Sequence, residues 1–235
     1  MVFFYESKPN PYDEAYQIVM GKDKFENDLL IKWGYKELNY WWFHTDKYSS
    51  GHIYLKLKSN EKTFFDVPED VINDCLQLCK SQSIQGNKLP ECVIIITPWT
   101  NLRKTKFMKP GEVSFKTTKN CYKRKCFNRD NKILNRLTKT RVEYVTDDIK
   151  ELDSFLNEAK KSKDGDYFLK FIERNKEQLL LIEKNRKQAK KLAKKNKKKN
   201  KDWGEEEKEL CGENEIDNLK HLDYSSNSKS VEVNL

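Results

Sequence analysis

The chain opens on two short runs of aromatic and β-branched residues, Val2-Phe3-Phe4-Tyr5 and Tyr16-Gln17-Ile18-Val19-Met20, separated by Pro9 and Pro11. Apolar runs of this length, bounded by proline, predict two strands around a loop. Asp23 and Glu26 stand in capping-box spacing after Gly21, so a helix is expected from near Lys24 through Leu29, Leu30 and Ile31, stopping at Gly34. Residues 41–57 carry the sharpest pattern, two alternating runs joined by Lys47-Tyr48-Ser49-Ser50-Gly51, which reads as a hairpin. With Asp46 opposite His52, one face holds Thr45/Ile53, Phe43/Leu55 and Trp41/Leu57, and the other Asp46/His52, His44/Tyr54 and Trp42/Lys56. The first is a core face and the second is amphipathic. A one-residue slip would exchange the two, burying Lys56 and Asp46, so the pattern specifies the faces.

Further along, Val71, Ile72, Cys75, Leu76, Leu78 and Cys79 recur at helical spacing between Pro68 and Ser83, with Glu69, Asp70 and Asp74 near the start, where the helix dipole favours acids. Cys92-Val93-Ile94-Ile95-Ile96 is apolar on both faces and predicts a central strand closed by Pro98. Val113-Ser114-Phe115 and Cys121-Tyr122 are expected as a last pair of strands. From Ile149 the pattern turns to long-helix chemistry: Ile149, Leu152, Leu156 and Ala159 form a stripe, and after a break at Asp164-Gly165-Asp166 a weaker one continues through Leu179, Ile182, Ala189 and Ala193. The fold class is therefore α+β, a single mixed or antiparallel sheet domain with covering helices over residues 1–145. A basic, coiled-coil-like helical arm follows over 146–202, and a disordered acidic tail is expected over 203–235.

Charge sharpens that division. Lys and Arg number 46 against 37 Asp and Glu, a formal +9, while charged residues make up 35% of the chain and the hydrophobic set only 37%. Residues 1–150 carry 26 basic and 19 acidic side chains, 151–202 carry 17 and 9, and 203–235 carry 3 and 9. A basic body and a more basic arm imply a polyanionic partner, nucleic acid ahead of an acidic membrane. No apolar run approaches the length of a membrane span and no signal peptide is evident, so the cytoplasm or the nucleus is the expected compartment. The six cysteines show no CxxC pair and read as free thiols in a reducing compartment, with neither a metal site nor a cofactor implied.

Three groups of residues carry candidate chemistry. Gly21-Lys22-Asp23-Lys24 puts Lys22 and Lys24 at a helix N-terminus, where outward N–H groups suit a phosphate oxygen; an ordinary capped helix with solvated lysines is the alternative. Trp42, His44, Tyr54 and Lys56 place aromatics beside a cation on one sheet face, an arrangement on which unpaired bases stack, unless the helix at 69–83 covers that face. Residues 103–125 hold nine Lys/Arg against one acid, Glu112, interleaved with Phe107, Phe115 and Tyr122. Arg103, Lys104, Lys106, Lys123, Arg124 and Lys125 would then join Lys22 and Lys24 in one patch of sequence-independent phosphate contacts, or merely form a solvated basic surface. A hydrolase built from Asp46, His52 or His44 and Ser49 or Ser50 would still need an orienting group and an oxyanion donor.

At Gly21-Lys22-Asp23-Lys24-Phe25-Glu26-Asn27-Asp28-Leu29-Leu30, Trp42-Phe43-His44 and Ser49-Ser50-Gly51-His52-Ile53 the sequence resembles the NFACT-R domain family. Ser83-Ile84-Gln85-Gly86, Thr97–Thr105 and Ile133-Leu134-Asn135-Arg136-Leu137 look like its stand-alone, coiled-coil-bearing members. The resemblance covers residues 1–145 and departs at Gly34–Asn39 and Cys121–Phe127. It implies an α+β domain that binds RNA, related to the nuclear export mediator factor group acting on stalled large ribosomal subunits, without the further modules those proteins carry. The expected function is non-enzymatic RNA binding through the basic patch and the Lys-rich arm, with ribosomal or transfer RNA as partner. The alternatives are DNA, a coiled-coil protein partner, or a scaffold at an acidic membrane surface.

Overall fold

The computed structural model describes residues 2–146 and 148–222, the stretch 197–222 by its backbone alone. Its two compact units are residues up to Glu183 and the chain from Lys184 onward. The first is built on a seven-stranded sheet, every neighbouring pair antiparallel. In chain order the elements are β1 (Val2–Ser7), β2 (Tyr16–Gly21), α1 (Lys24–Trp33), β3 (Tyr40–Thr45), β4 (Ile53–Lys56), α2 (Glu69–Ser81), β5 (Cys92–Pro98), β6 (Leu102–Arg103), β7 (Ser114–Phe115), β8 (Tyr122–Cys126), α3 (Asn131–Thr140), β9 (Val142–Tyr144), α4 (Ile149–Ser162) and α5 (Tyr167–Leu222). The sheet runs β8-β5-β3-β4-β2-β1-β9, and β6 pairs with β7 in a separate two-stranded ribbon.

Local chemistry accounts for the first elements. Asp23 accepts hydrogen bonds from the N–H groups of Phe25 and Glu26 at 2.9 and 3.1 Å and caps α1 where expected, while Glu26 reaches back to the N–H of Lys22, the residue before the cap, at 2.7 Å. Gly34 ends it for a packing reason: a Cβ there would fall 1.5 Å from the Trp99 ring.

The β3–β4 hairpin pairs Trp41 with Leu55, Trp42 with Tyr54 and Phe43 with Ile53, a register two residues away from the expected one. Thr45 continues along β5 opposite Ile94 instead of pairing with β4, and its N–H and hydroxyl close the loop on Ser50 and Tyr48. A two-residue shift preserves the faces, so the assignment of side chains to each face stands. The last strands differ from expectation in partner: Ser114–Phe115 pairs with Leu102–Arg103, and Tyr122–Cys126 joins the main sheet beside β5.

Both faces of the sheet are covered. On the first, Trp41, Phe43, Leu55 and Leu57 meet α2 through Val71, Ile72, Cys75 and Cys79, with Leu137 of α3 beside them. On the second, Phe4, Val19, Tyr40, Trp42 and Tyr54 pack beneath α1, α4 and the start of α5 through Leu30, Leu152, Leu156, Phe168 and Ile172. Residues 149–183 thus belong to the body, and the domain boundary expected at 145 moves to Glu183. The stripe that read as a coiled-coil seam is the inward face of a domain helix.

The second unit, from Lys184, is helical as far as Leu222, where the sequence reading places no regular structure after 202; residues 223–235 lie outside the described residues. Among the described residues, no helix is long and apolar enough to cross a membrane.

Candidate nucleic-acid interface

The N-terminus of α1 is already supplied with anions. Asp23 and Glu26 hold the N–H groups of Lys22, Phe25 and Glu26, and the Asp23 carbonyl takes the N–H of Asn27. A phosphate would meet two carboxylates there, so the expected cradle is not formed. Lys22 and Lys24 are exposed beside it, with the Lys24 ammonium 5.1 Å from the Phe25 ring centre.

The expected stacking platform is buried. Trp42 and Tyr54 are 1% and 3% exposed, and the covering elements are α1, α4, α5 and the β6–β7 ribbon, not α2. Lys56 is occupied too: its ammonium donates to the carbonyls of Leu38 at 2.9 Å and Gly165 at 2.8 Å and lies 3.4 Å from Asp166. Burial pulls its pKa down, opposed by Asp166, and it serves to hold the α4–α5 turn against the sheet. Of the four, His44 stays half open. Its ring stacks on Trp42 with centroids 5.2 Å apart and planes at 2°, and Nδ1 lies 2.7 Å from the Thr45 carbonyl, to which the neutral imidazole donates. Burial holds its pKa below the usual value, so it meets a ligand uncharged at neutral pH.

The basic segment 103–125 divides three ways. Lys104 is a structural cation, 2.8 Å from the Asp28 carboxylate and donating to the carbonyls of Lys109 and Glu112. Lys123 and Lys125 pair with Asp46 and Glu91 at 2.7 and 3.2 Å, yet their side chains remain 59% and 60% exposed, and exposed pairs of this kind are weak enough for a phosphate to compete. Arg124 points to the opposite side of the sheet, as strand alternation requires, and sits 5.8 and 6.0 Å from the Phe64 and Phe65 rings. Arg103 and Lys106 are exposed, as are Lys109, Lys116 and Lys119, and among the described residues no carboxylate lies within ion-pair distance of these five. Phe107, next in the chain to Lys106, is 87% exposed, with the Lys106 ammonium 5.1 Å from its ring.

What the fold brings together is therefore a strip on the second sheet face. Register places His44 beside Ile95 beside Lys123, and Val93 beside Lys125, with the β6–β7 ribbon adjoining through Phe115, whose ring meets Trp42 edge-on at 5.8 Å. Ile95 and Val93 are half-buried members of this strip that the sequence concealed, because an apolar run reads as covered on both sides. Lys24 packs against Gly111 of the ribbon loop, where an added Cβ would fall 2.9 Å from the Lys24 Cβ, while Arg124 faces the other side of the sheet.

The hydrolase set is not assembled: Asp46 is on Lys123, and Ser50 bonds to Thr45 and Gly51. Cys75, Cys79, Cys92 and Cys126 are buried free thiols in the first core, and burial raises the pKa of each.

Comparison with known proteins places this architecture. The model of the NFACT protein RNA binding domain matches residues 1–117. The protein named JLP2 of Saccharomyces cerevisiae is 63% identical over 202 residues, covering 86% of this chain and 95% of that protein. Coiled-coil domain-containing protein 25 of Bos taurus is 44% identical over 147 residues, 63% of this chain and 69% of the relative, and its homologue in Dictyostelium discoideum is 42% identical over 142 residues, 60% and 68%.

Proposed function

The chain belongs to the family of the NFACT protein RNA-binding domain, and from that premise we propose that it is a non-enzymatic RNA-binding protein of the cytoplasm or nucleus. It holds the phosphate backbone with the ribbon and the lysines of β8. The observation that carries the reading is that Arg103, Lys106, Lys109, Lys116 and Lys119, on and beside the ribbon, are exposed and among the described residues have no carboxylate within ion-pair distance of their charged groups, with the open ring of Phe107 next to Lys106. Cations spaced along a ribbon suit an irregular polyanion, and an exposed aromatic gives an unpaired base a face to stack on. Lys184–Lys201 adds eleven further Lys/Arg without an acid, a sequence-independent contribution to affinity.

The test is the salt dependence of binding by the full chain to a structured RNA, transfer RNA and ribosomal RNA first, with a DNA duplex of equal length and anionic vesicles alongside. The log–log slope is expected at about 0.7 to 0.9 per phosphate neutralised. Reversing Lys106, Lys109 and Lys116 to Glu should lower affinity and reduce the slope by roughly two to three units. An unchanged slope removes the ribbon from the interface; tighter binding to vesicles than to any RNA overturns the reading itself.

A further inference from the structure

At the end of the sheet where β3 starts and β5 finishes, an open cleft of about 370 Å³ is walled by Trp41, Trp99 and Tyr122, with Lys36 and Lys62 among its lining. The other polar residues that line it are neutral, and no acidic residue is among them. Two other clefts of the body, by contrast, carry acids, Glu37 and Asp166 in one and Asp13 and Asp70 in the other. Lys36 and Lys62 are exposed, and among the described residues no carboxylate lies within ion-pair distance of either ammonium. Asp66 feels the charge of Lys62, but its carboxylate is engaged by the N–H groups of Lys62 and Thr63, each at 2.9 Å.

Cations of the ribbon segment reach the same place. The Lys116 ammonium donates to the carbonyl of Thr100 at 2.6 Å, and Lys119 immediately precedes Asn120; Thr100 and Asn120 both line the cleft. A recess with apolar walls and charges of one sign concentrates its field on what enters. The aromatic wall also continues outward. Tyr122 meets Phe65 edge-on at 5.2 Å, Phe65 is 58% exposed, and the Arg124 guanidinium lies 6.0 Å from its ring centre. Behind them Trp41 and Phe64 pack against Tyr122 at 6.0 and 5.2 Å and give the open rings a fixed backing.

We propose that this cleft binds one unpaired nucleotide of the RNA, its base against Tyr122 and Trp99 and its flanking phosphates on Lys36 and Lys62. The inference rests on the RNA-binding reading above and deepens it. Single strands are held by aromatic rings on which unpaired bases stack, with cations following the backbone, and the cleft supplies both within one recess. Ligand sites span about 300 to 1,000 Å³, so a recess at the small end of that range has room for one nucleotide and not for a paired stem. Asn120 and Thr100, both exposed, bring an amide and a hydroxyl to a base edge. The ribbon takes phosphates of any RNA, whereas the cleft adds affinity only for a strand that can splay out a base.

The experiment measures binding of the full chain to a short oligouridine and to a blunt RNA duplex of equal length, for the wild type and for Lys36→Gln combined with Lys62→Gln. Both lysines are exposed, so the melting temperature of the double variant should hold. Each phosphate contact to a single strand contributes about 0.7 to the log–log salt slope, so the slope for oligouridine should shrink by about 1.4 and its affinity fall by roughly tenfold or more at about 0.1 M salt. Duplex affinity should stay within about threefold. In parallel, an oligouridine carrying 5-iodouridine is photocrosslinked to the wild type, and the modified peptides should contain Tyr122 or Trp99. Equal losses for the two RNAs, or crosslinks confined to Phe107 and the ribbon, would leave RNA binding standing and overturn the cleft as a nucleotide site. Polyglutamate binding more tightly than oligouridine, with the same dependence on Lys36 and Lys62, would overturn it too and reassign the cleft to an acidic protein. Absence of binding to both RNAs overturns the RNA reading instead.

Discussion

Asp74 is fully buried, and a carboxylate in that position survives because three hydrogen bonds from two side chains converge on it. Arg136 grips both oxygens at 2.8 and 3.0 Å and the Ser7 hydroxyl donates at 2.6 Å, so one side chain joins β1, α2 and α3. Burial still raises its pKa against the lowering effect of Ser7 and Arg136. A carboxylate whose folded pKa is raised favours the fold when protonated and loses that contribution as pH rises through the folded value. Arg136→Ala should therefore cost about 3 to 5 kcal/mol at neutral pH, and its deficit against the wild type should narrow as pH falls toward 5, read by urea unfolding at several pH values. His52 works in the opposite direction. Burial, the neighbouring His44 and Lys104 depress its pKa to about 3, so the unfolded chain takes up a proton near pH 6.5 that the folded chain refuses. Stability is intact above pH 6.5 and declines as pH drops, by roughly 2 kcal/mol at pH 5 from this residue. His52→Gln should flatten that decline in a pH series of melts, and an equally steep profile in the variant would assign it elsewhere.

At the scale of elements, Lys56 shows how an ionic side chain can look like a ligand contact and be a brace. Three oxygens of Leu38, Gly165 and Asp166 surround it, tying the α4–α5 turn to β4. Lys56→Met should lower the melting temperature and speed amide exchange over residues 163–167, while RNA affinity stays within about twofold; a selective loss of RNA binding without exchange changes would return Lys56 to the interface. The same side chain explains what could be read in advance. The first helix was legible because Asp23 and Glu26 announce it locally, and the strands because their alternation is a property of the chain alone. The hairpin register was not, since side chains alternate with a period of two residues and a slip of two leaves every face as it was. The covering of Trp42 and Tyr54 was not legible either: a face carrying His44 and Lys56 has the polarity of an open surface, and it is buried by the joint docking of α1, the β6–β7 ribbon, α4 and α5, much of it through contacts over a hundred residues apart. Of the interface, the excess of cations in 103–125 was plain in the composition, whereas the diversion of Lys104 to Asp28 and the turning of Arg124 to the far face depend on tertiary contacts.

For the molecule as a whole, the place where the body ends decides what a fragment can do. Leu152, Phe155, Leu156 and Ala159 of α4 and Phe168, Ile172 and Leu179 of α5 complete the second core. A fragment of residues 1–149 exposes Trp42, Tyr40 and Tyr54 and should be aggregated or molten, with loss of near-ultraviolet circular dichroism, whereas residues 1–183 should melt cooperatively close to the full chain. A well-folded 1–149 fragment would put the boundary back at 145. The closing of β9 onto β1, with Thr140 bonded to Glu6 and Lys176 to Glu6 across 134 and 170 positions, also has a meaning in time. During synthesis β1 emerges well before its outer neighbour β9 and before the helices α4 and α5 that roof the second face. Until those helices have been made, a nascent chain carries Trp42, Tyr40 and Tyr54 on a bare aromatic sheet face, so the second half of the core can close only after residue 179 has left the ribosome.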